Sequence, residues 1–366
     1  MREYFQGLQV VRAVACLIVV FAHLSVLEYH FGLHYLPVRS IMQVGPGGVD
    51  AFFVLSGFII GSTTRSDLGR PGRLPAYLFR RFWRIYPVFW VALGVGTAAH
   101  VALRPEPLFV PGWVENLLGT LVLLPDSPFL AAIPVAWTLP SEVAFYLVFA
   151  ALFLLPRRAA VPVLVGWGAV ALALAVAGHK PGNRFAALWV SPFVLEFLAG
   201  CFIARWPVQL SGRRAAVLGL VAAAWLGTGL GLKLAFDPGW DLRDYRQRVL
   251  VFGPGFALAV LALIGWERAG GRVGLRWLQR VGDASYSIFL IHLPCLYVAF
   301  WGSFWVNWSH SKSGHVAWIV AALALGVLPG LLFYRLVERP LLALGKPKRK
   351  AVAAPRSAAV PARVAA

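Results

Sequence analysis

The 366-residue chain is poor in charge, poorer still in acid, and nearly without cysteine. Charged residues make up 13% of it and hydrophobic ones 59%, where soluble domains carry about 25% and 45–50%. With a mean hydropathy of +0.72, these values exclude a soluble globular domain. Against 34 Lys and Arg stand 15 Asp and Glu, a formal net charge of +19. In a soluble protein that surplus would raise nucleic acid as a partner. Membrane proteins gather Lys and Arg in cytoplasmic loops, so the surplus needs no such ligand here and no nucleic-acid partner is expected. The three cysteines, Cys16, Cys201 and Cys295, fall singly inside apolar runs, which excludes a disulfide framework and gives no metal-ligand spacing. Short alternating segments of the kind that build outer-membrane barrels are missing too.

Long apolar runs are what the chain has. A transmembrane helix needs about 20 mostly apolar residues, and ten runs qualify, over approximately 8–27, 47–64, 84–102, 137–155, 159–178, 186–205, 214–234, 249–267, 284–302 and 315–337. The expected fold is an all-α polytopic bundle of about ten membrane helices. The stretch 113–124, with Glu115 and Asn116, is too short to span and reads as an interfacial or re-entrant helix. No cleavage motif follows the first run, so it is expected to stay as the first span. Arg65, Arg70, Arg73, Arg80, Arg81, Arg157, Arg158, Arg205, Arg268, Arg272, Arg276 and Arg280 fall in alternate loops. That bias predicts both termini in the cytoplasm. One membrane domain is expected over 1–345, followed by a basic, unstructured tail over 346–366.

Ionisable residues inside spans are costly and mark sites or pathways. Arg12 and His23 lie eleven residues apart in the first run, within about 20° of one helix face and about 16 Å apart along the axis. Asp50 and Ser56-Gly57 lie in the second run and Glu142, with Tyr146, in the fourth. From their distances along each helix, His23, Asp50 and Glu142 are expected at one depth near the outer face. Ser285, Tyr286 and His292 occupy the ninth run, and Arg80, Arg81 and Arg84 crowd the mouth of the third, just before Tyr86. Such an arginine cluster suits lipid headgroups or a phosphorylated ligand. A small residue such as Gly57 equally suits close helix packing.

The ordered pieces Arg12 with His23, Gly48-Val49-Asp50-Ala51-Phe52-Phe53-Val54-Leu55-Ser56-Gly57-Phe58, Arg81-Phe82-Trp83-Arg84-Ile85-Tyr86-Pro87, Trp137-Thr138-Leu139 with Glu142, Ser285-Tyr286-Ser287 with His292, and Glu338-Arg339-Pro340-Leu341 carry a resemblance. The chain resembles the acyltransferase 3 family of bacterial integral-membrane acyltransferases, which includes polysaccharide O-acetyltransferases. The resemblance implies a multi-pass protein of the bacterial inner membrane that moves an acyl group, commonly acetyl, from cytoplasmic acyl-CoA to a hydroxyl of an extracytoplasmic or lipid-linked glycan. It puts the critical arginine and histidine at Arg12 and His23 and the cytoplasmic arginine pair at Arg81 and Arg84. Thr138, where many members have Ser, and Pro140 depart from the pattern. The extracytoplasmic domain fused to some members is not expected, so a separate acyl-handling protein would be a partner in any second step.

Ester formation from a thioester needs a base, charge stabilisation at the carbonyl oxygen and a clamp on the donor. His23 is the expected base, oriented by Glu142 or Asp50, and Arg12 steers the thioester or stabilises charge. Arg81 and Arg84, with Ser56, Gly57 and Tyr86, are the expected donor contacts, and Ser285, Tyr286, His292 and Tyr146 further members of the site. The alternative is a proton-coupled transporter or flippase that uses the same buried polar groups.

Overall fold

In hydrocarbon every backbone N–H and C=O must find its partner within the chain, which leaves continuous helices as the solution for runs like these. The computed structural model describes residues 5–30, 38–103, 113–125, 133–179, 182–235, 244–303 and 312–345. The tail over 346–366 lies outside the described residues. Among the described residues fourteen α-helices follow in order: α1 (Gln6–His30), α2 (Val38–Thr64), α3 (Leu74–Leu103), α4 (Trp113–Leu121), α5 (Leu139–Ala151), α6 (Ala160–Val176), α7 (Arg184–Val190), α8 (Phe193–Arg205), α9 (Gly212–Ala235), α10 (Tyr245–Arg268), α11 (Arg276–Asp283), α12 (Ser285–Ser303), α13 (Lys312–Phe333) and α14 (Arg339–Leu344).

Among the described residues nine stretches are long and apolar enough to cross a membrane, and ten if the bent pair α11 and α12 counts as one span. The expected runs recur with shifted ends. The third extends back to Pro71, and the sixth is broken at Ser191-Pro192, where a residue before proline is pushed away from helical geometry. Residues 113–121 form the nine-residue α4, too short to span.

Between helices in lipid there is no hydrophobic gain, so association rests on close packing of small residues. The contact of α2 with α8 is the closest case. A side chain at Gly57 would strike the carbonyl of Phe197, and one at Gly200 would strike the carbonyl of Val54. Helix α2 also packs on α1 and α10, so it forms the centre of the bundle and carries Asp50 and Ser56 there.

Two irregularities aim side chains inward. At Ala284 the chain turns by 74° between α11 and α12, which points the first turn of α12, with Ser285 and Ser287, at α1 and at the end of α13. After α13, Tyr334–Glu338 widens into a π-helical turn. Pro340, two residues on, has no N–H for the carbonyl four residues back, and its ring crowds that carbonyl. The widened turn buries Glu338 completely.

Candidate functional site

A cavity of about 400 Å³ opens between α1, α2, α3, α5, α12 and the π-helical turn. Arg12, Arg81 and Arg84 line it, facing Glu142, Asp283 and Glu338. Each cation has a protein partner. Arg12 donates to the Ser285 hydroxyl from Nε at 3.1 Å and Nη2 at 2.9 Å. Arg84 Nη1 donates to Glu338 Oε1 at 2.7 Å, and the other oxygen of Glu338 accepts from the Ser287 hydroxyl at 2.6 Å. Arg81 donates from Nη2 to Thr63 Oγ1 at 2.8 Å and lies over the rings of Tyr77 and Tyr146. Its buried Nε has no hydrogen-bond partner among the described residues. Glu142 Oε1 accepts from Ser56 Oγ at 3.1 Å and from Tyr146 Oη at 2.5 Å. Tyr286 lies beside Arg84, its hydroxyl donating to the Ile85 carbonyl at 3.0 Å.

The cavity thus gathers Arg12, Ser56, Arg81, Arg84, Glu142, Tyr146, Ser285 and Tyr286 from the expected set. The rest are elsewhere. Asp50 pairs with Arg248 Nε at 2.7 Å, and both are buried, with Glu196 near them. His23 makes no bond to Glu142 or Asp50; its ring meets His292 at 3.2 Å. His23, Asp50 and Glu142 therefore do not form one hydrogen-bonded group, which the shared depth expected from the sequence does not require. Depth along a helix is shared by residues on every face, and Asp50 and His23 face different neighbours. Gly57 is a packing residue against α8, and the Tyr86 hydroxyl turns to the Val122 carbonyl at 3.3 Å, outside the cavity lining. Neither lines the cavity.

The cavity and the histidine pair are neighbours separated by aromatic rings. Phe52 and Phe289 line the cavity and meet at 6.2 Å, and Phe289 lies 6.2 Å from the ring of His292.

The acyltransferase domain family matches residues 5–335. The chain belongs to this acyltransferase family. It is 33% identical over 321 residues to the exopolysaccharide production protein ExoZ of Rhizobium meliloti (strain 1021), covering 84% of this chain and 92% of that one. It is 27% identical over 352 residues to the acyltransferase MdmB of Streptomyces mycarofaciens, covering 86% and 85%. It is 24% identical over 330 residues to the peptidoglycan O-acetyltransferase OatA of Listeria monocytogenes serovar 1/2a (strain ATCC BAA-679 / EGD-e), covering 81% of this chain and half of that one. No solved structure matches.

The chain is a multi-pass membrane acyltransferase. The sequence reading of this acyltransferase passed over three buried charges. Glu338 closes the tenth apolar run, and a lone acid at that place is a signal. Glu196 lies in the middle of the sixth run, where the cost of a carboxylate in lipid marks it out. Arg248 sits just before the eighth run, where a cation passes for part of the preceding loop. Nothing in the sequence pairs it with Asp50, 198 positions away.

Proposed function

We propose that this acyltransferase moves an acyl group, acetyl in the simplest case, from acyl-CoA to a hydroxyl of a glycan or lipid-linked glycan in the cell envelope. The observation that carries the reading is the cavity in which Arg12, Arg81 and Arg84 converge beside the histidine-bearing helices α1 and α12. The arginines at that end of the bundle favour a cytoplasmic orientation, with both termini inside and the donor entering there. Arg81 and Arg84 would take the donor's phosphates, since guanidinium groups bind such oxygens in paired hydrogen bonds. Arg12, deeper, would stabilise negative charge on the thioester carbonyl oxygen. A cavity of about 400 Å³ suits the acyl-pantetheine arm, with the nucleotide at the arginine rim.

In the reaction the acceptor hydroxyl gives its proton to His23 and its oxygen attacks the thioester carbon. The C–S bond breaks, an ester forms, and the thiolate takes a proton to leave as CoA thiol. The acyl group has to pass the Phe52–Phe289 partition, so movement of Phe289 belongs to the cycle. The names of ExoZ and OatA, an exopolysaccharide production protein and a peptidoglycan O-acetyltransferase, support a carbohydrate acceptor.

Purified protein in nanodiscs with labelled acetyl-CoA tests the reading. Release of CoA thiol that is lost in Arg81→Gln/Arg84→Gln and in His23→Ala is the expected result. Solute counterflow with no thiol release would support the transporter alternative and overturn this one.

A further inference from the structure

The expected carboxylate partner of His23 is replaced by a second imidazole. His292 is completely buried on α12. Its Nδ1 lies 2.8 Å from the Phe289 carbonyl and 3.0 Å from the Ile288 carbonyl. Carbonyl oxygens accept and never donate, so that nitrogen carries the hydrogen, and in a neutral ring Nε2 is then the acceptor. That Nε2 lies 3.2 Å from Nδ1 of His23. The same His23 nitrogen lies 2.9 Å from the Val19 carbonyl, which again requires a hydrogen on Nδ1. One N–H of His23 is thus shared between a carbonyl and a ring nitrogen, and both acceptors impose the same tautomer. The bare nitrogen left on His23 is Nε2. Among the described residues the hydrogen-bond partners of the two rings are these carbonyls and each other.

We propose that His292 is a positioning residue for His23: by accepting the Nδ1 hydrogen it holds His23 in the tautomer whose Nε2 can take the proton of the acceptor hydroxyl. A carboxylate would do the same for a histidine in water, but in this setting it would add a charge that must be desolvated. A neutral imidazole avoids that cost. When Nε2 takes the hydroxyl proton, the His23–His292 bond becomes charge-assisted and shorter, so the partner stabilises the intermediate more than the resting state. The proton then ends on the departing thiol and both rings return to their starting forms. Packing adds to the alignment. The Phe289 ring lies against His292 and also lines the cavity, so the partition that the acyl group passes touches the residue that orients the base.

The proposal rests on His23 acting as the base, and the experiment separates the two. Membrane vesicles are prepared from the native host, lacking its chromosomal copy and expressing each variant, and label is followed from acetyl-CoA into non-thiol envelope material. His292→Leu is expected to lower kcat by about 10–100-fold with the donor KM unchanged, by analogy with loss of the outer hydrogen-bond partner of a metal-bound histidine. His292→Gln, whose amide oxygen reaches the level of Nε2, should recover most of that loss. His292→Asn, whose amide stops at the level of Nδ1, should not recover it and serves where the Leu variant fails to fold. Gln and Asn variants equally active, or equally impaired at unchanged donor KM, would overturn the role of the Nε2 acceptor. A fall in thermal stability that parallels activity in every variant would do the same. His23→Ala decides the underlying reading: if it still transfers label, the base assignment fails, whereas an inactive His23→Ala beside a fully active His292→Leu sinks the positioning role alone.

Discussion

At the scale of single residues, two buried carboxylates show how partners decide roles. Glu338 and Arg84 neutralise one another within the cavity; Glu338 is fully buried, so removing Arg84 strands a carboxylate at a cost of about 3–5 kcal/mol, while the partly exposed Arg84 loses less when Glu338 is removed. Glu338→Gln and Arg84→Gln should each lower the melting temperature in detergent, and the double variant should regain most of the loss while donor binding stays weak. Additive losses would refute the pairing. Asp50 with Arg248 follows the same logic away from the cavity. Asp50→Asn should reduce yield and stability, and Asp50→Asn/Arg248→Gln should restore both together with acyl transfer. Restored folding without transfer would return Asp50 to the chemistry. Phe289→Trp enlarges the partition, so acetyl-CoA binding should persist while label transfer falls at least tenfold.

At the scale of elements, the π-helical turn and the bend at Ala284 are the devices that turn helix geometry into a site. Pro340 is the local cause of the widened turn. Pro340→Ala removes the clash and lets the helix run regularly, rotating Glu338 off Arg84. Losing the charge-assisted Glu338–Arg84 bond, about 1.5–3 kcal/mol, should lower the melting temperature and shift the donor KM, measured as CoA thiol release, with the protein still monodisperse. An unchanged KM would show that the turn has another origin. The α2–α8 crossing tolerates less. Gly57→Leu drives a side chain into the Phe197 carbonyl, and the expected result is loss of the folded peak on size-exclusion chromatography.

For the whole molecule, the proposed function ties the orientation of the bundle to the side of the arginine-lined cavity, where the donor would enter. Cys16 and Cys201 are buried and Cys295 partly so, and replacing them allows a single reporter cysteine. Arg157→Cys should react with a membrane-impermeant maleimide in inverted vesicles and stay unlabelled in intact spheroplasts. Labelling in spheroplasts would reverse the proposed orientation and with it the side from which the donor enters.

The sequence by itself determined the class: an apolar chain with so little charge can satisfy its backbone in lipid as helices, and the spacing of its runs set their number near ten. The ordered motifs also pointed to the family that the chain belongs to. Tertiary structure decided which polar groups meet. Helical periodicity assigns each residue a face and a depth, but the rotation of each helix about its own axis is set by packing against its neighbours. That rotation gave Asp50 to Arg248, Glu338 to Arg84, and His23 to a second histidine in place of a carboxylate.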